Sequence, residues 1–247
     1  MAHVSIVLPS WNTADTIGRA IDCYRAQDHP DKSLIIVDSK SDDGTHDILA
    51  AHDGRDGIRW LRVPETGLSN AINTGIHAMP EGAVFGYVGA DDFLLEGTLS
   101  TVSAHFDAHP DAVGLFFDSY TARAGAEPAY RACPAEDFSL DNLLTYRSVA
   151  GMQNTFLRGD IARAYLFDEG VKLAMDYELF LRLARDGLGA RITRCPQAST
   201  INTADGNLSR LYKRASKREA LYYALKYAPA GWRRVKAWLR FQKYRFL

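Results

Sequence analysis

The sequence predicts an α/β protein with a mostly parallel central sheet and helices on both of its faces. Short apolar runs at residues 4–8, 34–37 and 84–88 have the length and composition of buried strands. Between them, residues 15–27 and 68–79 place apolar side chains at helical spacing. Strands that alternate with helices of this length need crossover connections, and such crossovers join parallel strands.

The other elements are weaker but follow the same order. Residues 58–63 and 113–117 are expected to form further strands. Residues 121–138 have no regular pattern and are expected to form an irregular loop. Residues 176–186 predict a helix with leucine and phenylalanine side chains on its inner face, and the glycine-containing segment 187–189 would end it.

Composition restricts the class of protein. Of the 247 residues, 47% are hydrophobic and 24% are charged, which is the balance of a folded globular protein. The three cysteines are far apart, so they favour a reducing compartment over a disulfide framework. The amino terminus lacks the basic segment and apolar run of a signal peptide, and no stretch reaches the roughly 18 apolar residues of a membrane span. A cytoplasmic location is therefore expected.

The C-terminal tail, residues 210–247, differs from the rest of the chain. The whole sequence has a net charge of −1, yet the tail carries +11, because Glu219 is its only acid. Its basic residues alternate with aromatic ones, as in helices that lie on an anionic membrane surface. Packing of the tail on the main domain is the alternative interpretation. Binding of the tail to nucleic acid is a third interpretation, which nothing else in the sequence supports.

Two of the predicted strands end in acids. Asp38 follows the run at 34–37, and the pair Asp91 and Asp92 follows the run at 84–88. Ligands of parallel α/β sheets bind outside the carboxyl ends of the strands. Adjacent carboxylates are costly unless a cation or solvent neutralises them, and Mg²⁺ or Mn²⁺ binds carboxylates together with substrate phosphates. In the alternative interpretation, one acid caps the next helix and the other is solvated.

For Asp38 and Asp176, a purely structural role is the alternative to a role in a binding or catalytic site. Asp38 is placed to accept hydrogen bonds from a nucleobase or a ribose, but residues 42–45 beside it also have the composition of a turn. Asp176 opens the predicted helix, where an N-cap is its commoner role and contributes about 1 kcal/mol.

Six short segments stand in a fixed order along residues 3–210. They are VSIVLPSWN (4–12), LIIVDSKSDDGT (34–45), GLSNAINTGI (67–76), GADDFL (89–94), MDYELFLR (175–182) and DGNLS (205–209). The set resembles the motifs of family-2 glycosyltransferases. In order, those motifs are a strand ending in Pro-x-x-Asn, a strand leading into Asp and Asp-Gly-Thr, a Gly-x-x-x-Ala-x-Asn-x-Gly helix, an Asp-x-Asp metal motif, a segment with the catalytic base and a late donor loop.

The resemblance implies a Rossmann-like GT-A fold for residues 1–209 and transfer, with inversion, from a nucleoside-diphosphate sugar to an acceptor hydroxyl. The acceptor would be a glycan or a lipid-linked glycan of cell-surface polysaccharide synthesis, met at the inner membrane surface through the tail. The resemblance implies a divalent cation, Mn²⁺ or Mg²⁺, as cofactor. The implied site residues are Asp176 as general base, Asp91 and Asp92 at the metal, and Pro9, Trp11, Asp38, Ser39, Asn73 and Asp91 at the nucleotide sugar.

The sequence departs from the family pattern at three positions. Gly89 stands where many members have the first acid of the metal motif, Ile72 replaces a common arginine, and Met175 replaces an acid before the base. These departures leave open a non-catalytic nucleotide-binding module of the same fold. A sugar-1-phosphate nucleotidyltransferase is a second alternative, but residues 10–14 lack its glycine-rich basic loop.

Overall fold

The computed structural model describes residues 1–64, 67–146, 149–203, 212–231, 234–235 and 238–239. The strands are β1 (Val4–Ser10), β2 (Lys32–Asp38), β3 (Ile58–Arg62), β4 (Val84–Tyr87), β5 (Phe93–Leu94), β6 (Gly114–Arg123), β7 (Ala126–Arg131), β8 (Thr155–Arg158) and β9 (Ile192–Thr203). The α-helices are α1 (Ile17–Arg25), α2 (Thr45–His52), α3 (Leu68–Ala78), α4 (Thr98–Ala108), α5 (Leu140–Tyr146), α6 (Gly159–Ala164), α7 (Met175–Arg185) and α8 (Lys213–Tyr227). Two short 3-10 helices cover Met152–Asn154 and Gly189–Arg191.

The strands of the described residues form one nine-stranded sheet in the order β3-β2-β1-β4-β8-β6-β9-β5, with β7 paired to β6. Strands β1, β2, β3 and β4 pair in parallel, and β6 pairs in parallel with β9. Strand β8 is antiparallel to both β4 and β6, so those two strands run in the same direction. Six strands therefore share one direction, which confirms the predicted mostly parallel sheet.

Helices cover both faces of the sheet. Alternate residues of a strand point to opposite faces, and accordingly Val7 belongs to one hydrophobic cluster while Ile6 and Leu8 belong to the other. The Val7 cluster includes side chains of α3, α7 and α8, and the Ile6 cluster includes side chains of α1, α2 and α4. The two-sided arrangement agrees with the prediction.

The prediction of an irregular loop at residues 121–138 is wrong in its first half. Strand β6 continues to Arg123, and β7 (Ala126–Arg131) pairs back on it in antiparallel register. Gly125 makes this hairpin possible with a φ of 73°. Every residue of β7 is exposed, so the strand has no apolar periodicity for sequence analysis to detect.

The first part of the tail packs on the main domain. Helix α8 buries the small side chains of Ser216, Ala220 and Ala224, one every fourth residue, and Ala228 continues this face beyond the helix. Small residues at this spacing permit close approach of helix α7. The rest of the predicted tail lies outside the described residues, apart from its positions 212 and 228–231, 234–235 and 238–239. No helix among the described residues is long and apolar enough to cross a bilayer.

Candidate active site

The candidate site lies at the edge of the sheet where the parallel strands end. Strands β2, β1 and β4 are neighbours, so their carboxyl ends meet there. Strand β9 runs in the same direction and also ends at this edge. The 3-10 helix Met152–Asn154 leads into strand β8. Because β8 is antiparallel to β4, its first residues lie at this same edge. Residues that are far apart in sequence therefore converge at this edge.

Asp38 is the centre of a buried hydrogen-bonded cluster at the end of β2. Its side chain has no exposed surface. Oδ2 accepts hydrogen bonds from Ser10 Oγ at 3.1 Å and Ser41 Oγ at 2.6 Å, and Oδ1 accepts from Ser41 N at 3.0 Å. His46 Nε2 lies 2.8 Å from Oδ1. Burial acts to raise the pKa of Asp38, but the hydrogen bonds from Ser41, His46 and Ser10 outweigh it and lower the pKa.

The loops after β1 and β2 are joined by further side chains. Asn12 has a left-handed φ of 51°, and its Oδ1 accepts a hydrogen bond from the backbone N of Asp42 at 3.0 Å. Asp43 Oδ2 accepts a hydrogen bond from the backbone N of Ala14 at 3.0 Å. Thr45 Oγ1 accepts one from the backbone N of Thr13, also at 3.0 Å. The acid-rich turn thus fixes both loops, and Asp38 lies beneath them.

Asp91 and Asp92 occupy the loop after β4 in different environments. Asp91 is exposed, whereas Asp92 is only 4% exposed. The backbone N of Thr203 donates to Asp92 Oδ1 at 2.8 Å, which joins this loop to the end of β9. Burial and then the charge of Asp91 raise the pKa of Asp92 to about 6, against opposing hydrogen bonds from Thr203 and Gln153. Burial also raises the pKa of Asp91.

The carboxylates of both acids approach the backbone of Gly89 closely. A Cβ atom at Gly89 would lie 2.9 Å from Asp92 Oδ2 and 3.0 Å from Asp91 Oδ1. Both carboxylates therefore face the same small volume, which the side chain of any other residue would enter. The helix-cap alternative for these acids is wrong, because α4 begins only at Thr98 and its N-cap, Gly97, makes no side-chain cap.

Tyr87 links this acidic pair to helix α7. Its side chain is 9% exposed at the end of β4. Burial raises its pKa most, and the charges of Asp92, Asp91 and Asp176 raise it further. These three carboxylates come from two segments that are far apart in the sequence, and the charges of both segments act on Tyr87.

Asp176 is the second residue of α7 and is half-buried. Its Oδ1 accepts a hydrogen bond from the backbone N of Tyr177 at 2.7 Å. The N-cap alternative for Asp176 is wrong, because Ala174 occupies that position and makes no side-chain cap. The first turn of α7 also contacts α3 through Ser69 Oγ, which lies 3.4 Å from Met175 Sδ.

The remaining predicted site residues fall into two groups. Pro9 is half-buried, Ser39 is buried, and Trp11 is 59% exposed directly after β1, so these three lie at the junction of the β1 and β2 loops. Asn73 lies elsewhere, on α3. Its Nδ2 donates to the carbonyl O of Phe167 at 2.9 Å and its Oδ1 accepts from the N of Phe167 at 2.9 Å, so its amide holds the segment before α7.

Sequence analysis did not identify His46, Gln153 or Thr203. His46 bonds to Asp38 and packs its ring 5.3 Å from that of Trp60, while the other two bond to Asp92. No motif indicates Gln153 or Thr203, because each acts on a residue from another part of the chain. His46 differs from these two, because it directly follows the Asp-Gly-Thr turn and this motif could have indicated it.

The acidic pair fits a divalent cation that is shared with a substrate. Among the described residues, no group of three or more His, Cys, Asp or Glu side chains is arranged to hold a metal alone. Mg²⁺ and similar hard ions bind through one or two carboxylates plus substrate phosphates. Asp91 and Asp92 supply oxygen ligands of this kind around the space at Gly89.

Solved structures show the same fold. The S. aureus TarS 1-349 structure in complex with UDP-GlcNAc has a TM-score of 0.76 and 17% identity over 99% of this chain and 72% of that chain. The mannosyltransferase PcManGT from Pyrobaculum calidifontis, in complex with GDP-Man and Mn2+, has a TM-score of 0.63 and 19% identity over 98% of this chain and 69% of that chain. These likenesses confirm the predicted GT-A fold.

Curated relatives carry names from polysaccharide synthesis. The succinoglycan biosynthesis protein ExoU of Rhizobium meliloti (strain 1021) is 26% identical over 231 residues, which are 85% of this chain and 67% of the relative. The chondroitin synthase of Escherichia coli is 26% identical over 198 residues, which are 74% of this chain but only 27% of that protein. This chain therefore corresponds to a small part of some relatives and to most of others.

The sequence model described as Glycosyl transferase family 2 matches residues 5–166, about two thirds of the chain. The matched region contains the ends of β1, β2 and β4 and both acids of the Gly89 loop. The chain belongs to glycosyl transferase family 2.

Proposed function

We propose that this chain transfers a sugar, with inversion at the anomeric carbon, from a nucleoside-diphosphate sugar to an acceptor hydroxyl. The observation that supports the proposal is the pair Asp91 and Asp92 at the carboxyl end of β4, whose oxygens approach each other beside Gly89, with the charges of both acids and of Asp176 acting on Tyr87. The acidic pair suits the diphosphate side of the reaction, and Asp176 suits the acceptor side.

The nucleotide is proposed to bind where the β1 and β2 loops meet. Pro9, Trp11 and Ser39 would line its base, with the exposed indole of Trp11 available for stacking. The carboxylate of Asp38 already accepts hydrogen bonds from three residues and has no exposed surface. Its proposed part is therefore to hold the loops, and direct contact with a base would require one of these bonds to exchange. Asn73 is proposed to act through the Phe167 segment.

The chemistry assigns one task to each acid. A divalent cation held by Asp91, with Asp92 in support, would neutralise the charge that develops on the diphosphate leaving group. Asp176 would accept the proton of the acceptor hydroxyl as that oxygen attacks the anomeric carbon. The bond between the anomeric carbon and the diphosphate breaks on the opposite side, which inverts the configuration. Correct placement of the reacting groups lowers the barrier further.

The acceptor is proposed to be a growing or lipid-linked glycan of cell-surface polysaccharide synthesis, reached from the cytoplasmic face of a membrane. The names of the relatives from Rhizobium meliloti and Escherichia coli support the class of acceptor. The exposed surface of α8 supports membrane contact, because Lys213, Arg214 and Tyr222 are exposed on it. Beyond this helix, Trp238 and Leu239 are 48% and 49% exposed.

The proposed metal site makes nucleotide binding depend on a cation. Calorimetry with UDP and GDP should show affinity for one of them that is about tenfold or more higher with Mn²⁺ than with a chelator, because the ion bridges carboxylate and phosphate. Asp91→Asn should abolish the difference. Asp111→Asn, an exposed acid at the opposite edge of the sheet, should preserve it. Equal affinity with Mn²⁺ and with chelator would contradict the metal site.

The proposed base predicts a separation of turnover from donor binding. Asp176→Asn should reduce release of UDP from UDP-N-acetylglucosamine, or of GDP from GDP-mannose, by about 10²–10⁴-fold, while the donor Kd stays unchanged. Asp186→Asn is the matched control, since it lies just past the other end of α7, about 15 Å away along the helix. If Asp176→Asn keeps more than about a tenth of wild-type turnover, Asp176 is not the base.

The proposed membrane contact predicts salt-dependent binding to anionic vesicles. In co-sedimentation with phosphatidylserine liposomes, the full chain should bind at 0.1 M salt and detach at 1 M, because the Debye length falls from about 10 Å to about 3 Å. Neutralising Lys213, Arg214 and Arg218 to glutamine should weaken binding about tenfold or more, since each such charge contributes about 1 kcal/mol.

The control for this experiment neutralises three exposed arginines away from the tail, Arg55, Arg123 and Arg131. That variant should bind as the wild type does. Equal loss of binding in both variants, or none in either, would show that α8 is not a membrane-binding surface.

A further inference from the structure

Three consecutive backbone N–H groups before helix α7 converge on one carboxylate of the tail. Glu219 Oε1 accepts from the N of Lys172 at 3.0 Å, and Oε2 accepts from Leu173 N at 2.7 Å and Ala174 N at 2.8 Å. Successive N–H groups that point to one centre form an anion-binding concavity, or nest. Hydrogen bonds to an ionised acceptor are stronger than neutral ones, so this nest is a firm point of attachment.

The attachment immediately precedes the proposed base. Ala174 is the N-cap of α7, and Asp176 is the second residue of the helix. Glu219 therefore fixes the backbone up to the position from which α7 starts. Asp176 lies less than one helical turn from that point, so the nest holds the backbone next to the residue from which its carboxylate projects.

Helix α8 holds α7 at a second point farther along. Tyr227 Oη donates to Glu178 Oε1 at 2.7 Å, and Arg182 Nε donates to the same carboxylate at 2.9 Å. The guanidinium of Arg185 lies 5.2 Å from the centre of the Tyr227 ring. Glu178 lies at the end of the first turn of α7, and Arg185 lies in its last turn, whereas Glu219 holds the backbone before the helix begins.

We propose that Glu219 is a positioning residue for Asp176, through which the basic tail completes the active site. The inference rests on the proposed function, because it assigns Glu219 a part in the same reaction. A helix that only covers an apolar face needs small or apolar side chains, which α8 supplies at Ala220 and Ala224. The only acid of the tail is instead directed at the loop that leads to the base. Within the described part of the chain, the hydrogen bonds of Glu219 go to residues 172–174 and not to the loops after β1, β2 and β4, so its loss should affect turnover and leave the nucleotide site intact.

The test compares Glu219→Gln with a control on the same helix. The glutamine keeps the length of the side chain but replaces one acceptor oxygen with an amide NH₂, which opposes the backbone donors. Tyr227→Phe is the matched control, since it removes a contact between α8 and α7 at Glu178. Release of UDP from UDP-N-acetylglucosamine, or of GDP from GDP-mannose, gives kcat. Calorimetry gives the donor Kd, and amide hydrogen exchange reports on residues 172–174.

Glu219→Gln should lower kcat roughly tenfold or more, because small misplacement of a catalytic group is costly, with the donor Kd unchanged and faster exchange at residues 172–174. Tyr227→Phe should keep wild-type kcat. If Glu219→Gln keeps the wild-type kcat, this inference is wrong but the proposed function stands. The same holds if kcat falls equally in both variants and in proportion to the fall in their melting temperatures. A wild-type chain without turnover of any nucleotide sugar would overturn the proposed function and this inference together.

Discussion

Asp92 is a nearly buried carboxylate that joins three segments of the chain at one point. It belongs to the loop after β4, accepts a hydrogen bond from the end of β9 and is bonded by Gln153 of the segment before β8. Burial of a charge is costly unless hydrogen bonds compensate it, and here the compensation comes from distant parts of the sequence. The raised pKa, about 6, indicates that compensation is incomplete. A nearby cation would complete it, which links the stability of this loop to the proposed use of the site.

In the proposed reaction, the two halves of the chain would contribute different parts. The parallel strands β1, β2 and β4 place the nucleotide loops and the acidic pair at one edge of the sheet. Asp176 lies at the start of helix α7, and this start is held by Asn73 through the Phe167 segment and by Glu219 through the nest. In this proposal the tail supports the active site, and its exposed basic side chains lie on the same helix as Glu219. Contact with a membrane and placement of the base would then depend on one element.

Strands β1, β2 and β4 could be predicted from the sequence because they are buried on both faces. Continuous apolar runs such as residues 34–37 are easy to recognise. Strands β5, β7, β8 and β9 were not predicted. Strand β7 is fully exposed, β9 carries polar residues along most of its length, and β5 and β8 are only two and four residues long. The motifs were enough to select Asp91 and Asp176 as candidate site residues. Their common neighbour Tyr87, and the partners Gln153, Thr203 and Glu219, depend on tertiary contacts that no local pattern encodes.

We propose that Asp91 and Asp92 hold a cation on the diphosphate of the donor, beside Gly89. The most direct measurement is a crystal structure with Mn²⁺ and the nucleotide that binds, using anomalous scattering to locate the ion. A manganese peak should lie within about 2.5 Å of an Asp91 carboxylate oxygen, with the nucleotide's phosphates on its other side. A nucleotide bound at this edge of the sheet with no manganese between it and Asp91, or bound at another surface, would rule out this cation site.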